Sequence, residues 1–327
     1  MRYRVIPGLD REVSVLSLGG WLTFGEGVDD EVALATLHAA YEGGVNMIDL
    51  ADIYAAGAAE ELVGRFVRQV DRDRLVLTSK VFWPTSDDPA DRGLSRRHIH
   101  AAIDKALDRL GIERLDLYYC HREDPGVPLA ETVEAMGDLV RAGKIAAWGT
   151  SCWRPRTLRE AHRLARSLGC AAPAVEQSPY NLLQRWIEQA LLPCCQELGM
   201  AVTVFSPLAQ GVLTGKYLDG VPSGSRADGG RLRGMLHGGP ERHLREFVAL
   251  CDRSGLRPAV AALAWALRSP GVASAIMGAS SARQLRENLA AAELELPLAL
   301  AAEMERVFPV ERQSLVRRLV RKLMRGR

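Results

Sequence analysis

The sequence predicts an α/β fold, a (β/α)8 or TIM barrel, with its functional site at the C-terminal ends of the strands. Eight short apolar segments alternate with segments of helical periodicity, which indicates a parallel sheet covered by helices. Eight such units in 327 residues favour a closed barrel over an open doubly wound sheet. The first strand is not followed by G-x-G-x-x-G, which also argues against a Rossmann domain.

The predicted strands are short runs of apolar residues that are bounded on both sides, as expected of strands buried on both faces. In the first run, polar and apolar residues alternate before the run becomes apolar, and Gly19 and Gly20 follow its end. In chain order the strands span residues 13–18, 45–49, 75–80, 115–120, 145–149, 174–177, 201–205 and 272–277.

Helices are predicted between these strands because apolar residues recur there at a spacing of three and four. Asp29 and Ser95 stand at N-cap positions, Pro155 lies in a first turn, and glycines at 43 and 143 follow helix ends. The helices span residues 29–41, 58–69, 95–110, 132–141, 155–168, 187–198, 241–254, 258–268 and 281–292, of which 241–254 is additional to the eight units. Residues 206–240, rich in Gly, Pro and Ser, are predicted to form a long loop.

Composition indicates a globular cytoplasmic enzyme, with 47% hydrophobic and 25% charged residues. The six cysteines form no CxxC pair, which favours reduced thiols, and no metal site is predicted. The N-terminus lacks a signal-peptide pattern, and no segment approaches the ~20 apolar residues of a membrane span. The net charge of +2 gives no indication of nucleic-acid binding.

The chain is predicted to contain one barrel domain, residues 1–310, and a basic amphipathic tail, residues 311–327. From Arg312 onward the tail has six Arg and one Lys and no acidic residue, so the rest of the chain is net negative. Such a helix can contact an anionic membrane surface or a partner, but packing on its own barrel or a frayed terminus is the commoner outcome. The formation of a homo-oligomer is left open.

Four residues that can transfer or stabilise a proton are predicted to meet at one end of the barrel. Asp49, Lys80 and His121 stand at the ends of the second, third and fourth strands, and Tyr54 follows in the second loop. Each residue alone is more often a cap, a solvated charge or a packed side chain, but their shared position favours an active site. Asp52, in the same stretch, is interpreted as a loop residue without a role.

This combination suits the reduction of a carbonyl group, which needs a hydride on carbon and a proton on oxygen. Tyr54 can donate the proton, and Lys80 beside it is expected to lower the phenol pKa from its usual value of about 10. Asp49 would keep Lys80 charged and in place, and His121 would position the carbonyl oxygen. No side chain supplies a hydride, so a nicotinamide cofactor is required.

The chain resembles the aldo-keto reductases, and within them the branch of the voltage-gated potassium channel β-subunits and their bacterial relatives. The resemblance spans roughly residues 3 to 295 and includes Asp52-Ile53-Tyr54-Ala55-Ala56-Gly57. The other matching segments are 18–25, 48–49, 78–83, 92–96, 148–151, 205–209, 215–217 and 278–280, with Gln284, Glu287 and Asn288.

The resemblance implies a catalytic tetrad of Asp49, Tyr54, Lys80 and His121, and NADP(H) lying across the end of the barrel under long covering loops. Ser151 and Gln177 would bind the carboxamide, Phe205 would stack on the nicotinamide, and Lys216 and Arg226 would bind phosphate groups. The other implied cofactor contacts are Gly20, Trp21, Asp49, Ser206, Leu208, Gly211, Gly278, Ser280, Gln284, Glu287 and Asn288.

Some positions depart from the family pattern. Cys152 replaces the usual Asn or Arg beside the carboxamide, and Gly20 replaces a common Thr. Residues 228–240 are rich in glycine and unlike the family, whereas His121 is the choice of the reductases rather than of the channel subunits.

The sequence therefore predicts an NADPH-dependent reductase of aldehydes or ketones. Trp21, Trp83 and Trp153 follow strands and are predicted to form a pocket for a hydrophobic or flat carbonyl substrate, although they could instead pack under loops. Two alternatives stay open: a regulatory subunit that senses redox state through bound NADP(H), and a ketoreductase for one sugar or polyketide intermediate.

Overall fold

A closed barrel of eight parallel strands forms the centre of the protein, as the sequence predicts. The computed structural model describes residues 1–223, 225, 227–228 and 241–309. Neighbouring strands follow one another in sequence, and the last pairs with the first to close the barrel. The strands are β3 (Leu16–Gly19), β4 (Met47–Asp49), β5 (Val76–Val81), β6 (Leu115–Cys120), β7 (Ile145–Ser151), β8 (Val175–Pro179), β9 (Ala201–Phe205) and β10 (Val272–Met277).

Helices surround this barrel and bury their apolar faces against it. In the described part of the chain they are α1 (Asp30–Glu42), α2 (Ala58–Val67), α3 (Arg96–Leu110), α4 (Leu129–Arg141), α5 (Pro155–Leu168), α6 (Ile187–Glu197), α7 (Glu241–Arg253), α8 (Pro258–Leu267), α9 (Ala282–Leu289) and α10 (Leu298–Val307). None of the helices formed by these residues is long and apolar enough to cross a membrane.

The first predicted strand divides into two. Val13–Ser14 forms β2, which pairs antiparallel with β1 (Tyr3–Arg4), and only Leu16–Gly19 enters the barrel. The division follows from hydrogen bonding, because the Ser14 hydroxyl bonds to the Leu16 carbonyl and the chain changes partner there. The helix predicted at residues 281–292 is present as α9, but the prediction that it is the last helix is wrong, because α10 follows it.

The β1–β2 hairpin closes the N-terminal end of the barrel. Ile6 and Val13 are fully buried and pack among side chains from the beginnings of the barrel strands. The strand residues in this cluster are Met47, Val76, Leu117, Tyr119, Ala147, Val175 and Ala273. Mostly apolar side chains therefore fill this end of the barrel.

A small buried cluster of charged residues lies between the barrel wall and α2 and α3. Glu60 is fully buried and accepts hydrogen bonds from Ser79 and from Arg109 Nε, the latter at 2.6 Å. Asp52 is only 2% exposed, and neither of its carboxyl oxygens has a hydrogen-bond partner among the described residues. Burial, helped by the Glu60 carboxylate, raises the pKa of Asp52 to about 8.

This shift makes Asp52 lower the stability of the fold as the pH rises from about 4 to about 8. In the unfolded chain an aspartate ionises near pH ~4, whereas in the folded protein Asp52 retains its proton up to about pH 8. Between these values the folded state binds the extra proton, so its stability falls as the pH rises.

We expect Asp52→Asn to remove this loss, because asparagine does not ionise. The variant should exceed the wild type in free energy of unfolding at pH 8 by on the order of 2–4 kcal/mol, with a much smaller difference at pH 5. Urea denaturation at both pH values measures this. Asp108→Asn, at an exposed position in α3, is the control and should show no pH-dependent difference. An Asp52→Asn effect that is equal at both pH values would contradict the assignment.

Candidate active site

Adjacent strands bring the four predicted catalytic residues together at the C-terminal end of the barrel. Asp49 is the last residue of β4, Lys80 is the penultimate residue of β5, and His121 directly follows β6. The register sets Asp49 opposite Thr78 and Lys80 opposite Tyr119. The side chains therefore meet because the strands are parallel and their ends lie at one level.

Lys80 is the centre of the hydrogen-bond network, although its side chain is fully buried. Its Nζ lies 2.6 Å from Asp49 Oδ2, 2.6 Å from the Leu50 carbonyl oxygen and 3.2 Å from the Tyr54 hydroxyl. An ammonium group has three hydrogens and accepts none, so these three acceptors satisfy it completely. Tyr54 is therefore an acceptor toward Lys80, and its own proton remains available to another group.

Asp49 is itself fixed by two further donors. The Thr78 hydroxyl and the Gln177 amide nitrogen both donate to Asp49 Oδ1, at 3.0 and 2.8 Å. One carboxylate oxygen of Asp49 therefore accepts from Lys80, and the other accepts from Thr78 and Gln177. Gln177, predicted to contact the cofactor carboxamide, has its amide nitrogen engaged by this bond.

Tyr54 is held by an unusual turn. After it, Ala55, Ala56 and Gly57 have φ of 48°, 53° and 97°, which is the left-handed region that L side chains seldom adopt. The Tyr54 amide donates to the Ala51 carbonyl at 3.0 Å. Because a left-handed non-glycine residue costs roughly 1–2 kcal/mol, the surrounding packing must hold this turn in place.

Burial governs the ionisation of the site. It raises the pKa of Tyr54, and the opposing effect of Lys80 offsets only part of this rise, so the net shift is opposite to the one the sequence predicted. Burial also disfavours the charged form of Lys80, but Asp49 and Tyr54 outweigh it and raise the pKa of the ammonium. Burial, Lys80 and Arg122 together hold the pKa of His121 well below its usual value.

His121 is thus a neutral imidazole at neutral pH, next to a phenol that retains its proton. Its ring centroid lies 6.2 Å from those of Tyr54 and Trp83, in edge-to-face contacts. Its Nδ1 is buried and has no hydrogen-bond partner among the described residues. A neutral imidazole can donate one hydrogen bond, so His121 is suited to orient a carbonyl oxygen.

These groups open into a cavity of about 690 Å³. Most of the predicted cofactor and substrate residues lie in its wall: Trp21, Asp49, Tyr54, Trp83, His121, Ser151, Gln177, Phe205, Ser206, Leu208, Gly211, Lys216, Gly278, Ser280 and Gln284. The wall therefore extends from the tetrad to the beginning of α9. This length suits an extended ligand.

Other predicted residues are described but are not part of this wall. Trp153 is 1% exposed and packs in the core, and Glu287 is paired with Arg257 at 2.8 Å. Asn288 is buried in α9. A Cβ atom at Gly20 would come within 2.9 Å of the Leu50 and Phe24 side chains, so the threonine that is common in the family would require these side chains to shift. Arg226 and residues 310–327, which include the predicted tail, lie outside the described residues.

The chemistry of the wall fits NADP(H). An aromatic ring at Phe205, a hydroxyl at Ser151 and an amide at Gln177 surround the tetrad end. Further along, Ser206 and Gly211 have left-handed φ of 53° and 95°. Lys216 lines the cavity, its ammonium nitrogen lies 5.0 Å from the centre of the Tyr217 ring, and it forms no ion pair among the described residues. A cation without a carboxylate partner beside an irregular backbone suits the binding of phosphate groups.

Sequence reasoning missed several contacts at the site. Thr78 lies in the same predicted strand as Lys80, and its position two residues earlier places it on the same side of the strand. Arg122 follows His121 directly, lines the cavity and bonds to Ser151 Oγ at 3.3 Å. The signal for Arg122 was its position in the loop after the fourth predicted strand, because the loops at the C-terminal strand ends of a (β/α)8 barrel form its functional site.

Comparison with known proteins agrees with this geometry. The model of the aldo/keto reductase family matches residues 15–307. A protein of Schizosaccharomyces pombe named "Putative voltage-gated potassium channel subunit beta" is 39% identical over an alignment of 303 residues, and the alignment covers 89% of this chain and 88% of that protein. The family match includes all eight barrel strands and the strand ends at which the cavity lies. The chain belongs to the aldo/keto reductase family.

Proposed function

We propose that the protein is an NADPH-dependent reductase that converts an aldehyde or ketone into an alcohol. The observation that supports this most directly is the hydrogen bonding of Lys80, whose three donors are all used. The bond from Lys80 makes the Tyr54 oxygen an acceptor, so the phenolic proton is left for a substrate in the cavity. A positioned proton donor beside a cavity of this length is what carbonyl reduction requires.

In the reaction, the carbonyl carbon gains a hydride and the carbonyl oxygen gains a proton. NADPH held in the cavity would supply the hydride and be oxidised to NADP⁺. Tyr54 donates its proton to the oxygen, and Lys80 stabilises the phenolate that remains. His121, as a neutral donor, orients the carbonyl oxygen, and Asp49 holds Lys80 in place.

For cofactor binding we assign Phe205 to the nicotinamide face and Ser151 to the carboxamide. Because the Gln177 nitrogen is bonded to Asp49, its amide oxygen is the group assigned to the carboxamide. Lys216 and Arg226 would bind phosphate groups. The remaining proposed contacts are Gly20, Trp21, Asp49, Ser206, Leu208, Gly211, Gly278, Ser280, Gln284, Glu287 and Asn288.

We infer a cytoplasmic location from the thiols. All six cysteines are free, and a reducing compartment keeps them so. Of the tryptophans assigned to the substrate pocket, Trp21 and Trp83 are 42% and 38% exposed at the cavity and suit a flat or hydrophobic substrate.

A second candidate function is that of a regulatory subunit that binds NADP(H) without rapid turnover. The name of the S. pombe relative favours it. The two functions differ in a simple measurement. A reductase consumes NADPH with aldehydes such as 4-nitrobenzaldehyde, whereas a regulatory subunit binds NADPH tightly and turns over none of a broad carbonyl panel.

Tyr54→Phe should abolish most of the reductase activity, because it removes the proton donor while keeping the ring. We expect kcat to fall by about 10²- to 10⁴-fold, with NADPH affinity nearly unchanged. Steady-state NADPH oxidation and fluorescence titration measure the two quantities. Tyr41→Phe in α1 is the matched control. Equal turnover by Tyr54→Phe and wild type would refute the role of Tyr54.

The pH dependence of reduction should be flat around neutrality. His121 has a pKa well below its ordinary ~6.5 and stays neutral, while Tyr54 has a pKa above its ordinary ~10 and keeps its proton. We therefore expect kcat to be constant between about pH 6.5 and 9. A pH profile at saturating NADPH tests this. A decline of kcat with an apparent pKa near 7 to 8 would contradict the assignment of Tyr54 as the donor.

The double substitution Lys216→Ala and Arg226→Ala should weaken NADPH binding much more than NADH binding. Each cation is proposed to bind phosphate, and the 2′-phosphate is present only in NADPH. We expect the Kd for NADPH to rise by about 10- to 100-fold. Titration with both cofactors measures this, with Lys105→Ala on the exposed face of α3 as the control. Equal losses for both cofactors would refute a 2′-phosphate contact.

A further inference from the structure

Arg122 lies at the end of the cavity where the proposed chemistry takes place. It follows His121 and lines the cavity, and its side chain is half-buried. Its guanidinium carbon lies 5.8 Å from the centre of the Trp83 ring. Its Nη1 donates to the His121 carbonyl oxygen and, at 3.3 Å, to Ser151 Oγ. These bonds fix the guanidinium between the tetrad and the aromatic part of the pocket.

No carboxylate neutralises this guanidinium among the described residues, although two acidic residues follow it in sequence. Glu123 is occupied by Arg154, which donates to it from its backbone nitrogen at 2.6 Å and from Nε at 2.7 Å. Asp124 accepts from the backbone nitrogens of Leu94 and Gly126, at 2.8 and 2.9 Å. The neighbouring acids are therefore engaged elsewhere.

The unused donors of Arg122 form a fork. Both protein contacts use Nη1, and neither Nε nor Nη2 donates to a described residue. In a guanidinium group, Nε and the far Nη project two parallel N–H bonds, which match the two oxygens of a carboxylate. Partial burial removes some of the water around this cation, and an anion at the free edge would replace the lost hydration.

We propose that Arg122 determines specificity by binding a carboxylate on the carbonyl substrate through its Nε–Nη2 edge. The proposal rests on the proposed reductase function and names the substrate class for it: carbonyl compounds that bear a carboxylate. Trp83 beside the guanidinium supplies a surface for the flat or apolar part between the two groups. The positive charge of Lys80 cannot serve this purpose, because its three hydrogens are already bonded.

The test compares substrates of nearly equal shape that differ in charge. Carboxybenzaldehydes and nitrobenzaldehydes, each as the 3- and 4-isomers, present a planar two-oxygen group that is anionic in the first pair and neutral in the second. The measured quantity is the ratio of kcat/KM for the carboxy compound to that for the nitro compound. A ratio removes effects that the variant has on folding, on NADPH binding or on the hydride step.

We expect Arg122→Gln to lower this ratio by about 10- to 100-fold for at least one isomer, and Arg122→Lys to lower it less, because lysine retains the charge but not the fork. Arg156→Gln, at an exposed position in α5, removes a positive charge without freeing Glu123 from Arg154, and it should leave the ratio unchanged. An unchanged ratio in Arg122→Gln would overturn the proposal. So would an equal fall in kcat/KM for both compounds accompanied by a raised Kd for NADPH, which would assign Arg122 to the cofactor.

A binding experiment separates this proposal from the reductase function itself. Benzoate and the neutral benzamide are titrated by calorimetry into the wild type and Arg122→Gln, both saturated with NADP⁺. Selective binding of benzoate that Arg122→Gln weakens by about 10-fold or more supports the anion site even if no aldehyde is turned over. If turnover is present but benzoate binds the two proteins equally, the anion site is refuted and the reductase function stands.

Discussion

The burial of one ammonium group determines the arrangement of the site. Removing Lys80 from water is costly unless each of its hydrogens finds an acceptor. Asp49, the Leu50 carbonyl and the Tyr54 hydroxyl supply those acceptors, so all three must be fixed within about 3 Å of one atom. This requirement connects β4, β5 and the loop after β4. It also explains why Thr78 and Gln177 hold Asp49, since a rotated carboxylate would leave a buried charge unpaired.

The barrel meets this requirement because its strands are parallel and closed. Short apolar runs between glycines and polar residues made the eight strands predictable, and residues 115–120, 201–205 and 272–277 form strands with the predicted bounds. The hairpin of Tyr3–Arg4 was not predictable, because a pair of two-residue strands has no periodicity and depends on contact with the barrel. Helix α10 was missed for a similar reason: it follows the last βα unit, where the alternation gives no expectation.

The positions of the four proposed catalytic residues could be predicted, since a strand end is a local feature and parallel strand ends share one level. Contacts that depend on the register between strands could not be predicted from the sequence. The hydrogen bond from Thr78 to Asp49 is an example. Asp52 shows the same limit: its loop position was visible, but its near-complete burial beside Glu60 is set by α2 and α3. The net rise in the pKa of Tyr54 likewise comes from burial, which the sequence does not quantify.

Lys80 and Arg122, two cations near the proposed reacting centre, differ in how far the protein itself satisfies their hydrogen-bond donors. Lys80 is fully buried, and the protein itself supplies every acceptor, so an external anion has no donor to bind there. Arg122 is half-buried, uses one nitrogen for its protein contacts and keeps one edge of its guanidinium without a partner in the part of the chain that the structure describes. Because Glu123 is engaged by Arg154, no adjacent acid neutralises that edge. Lys80, whose donors are all bonded within the protein, fixes the geometry of the site. Arg122, which has donors left for a ligand, is the cation that we propose selects substrates by their charge.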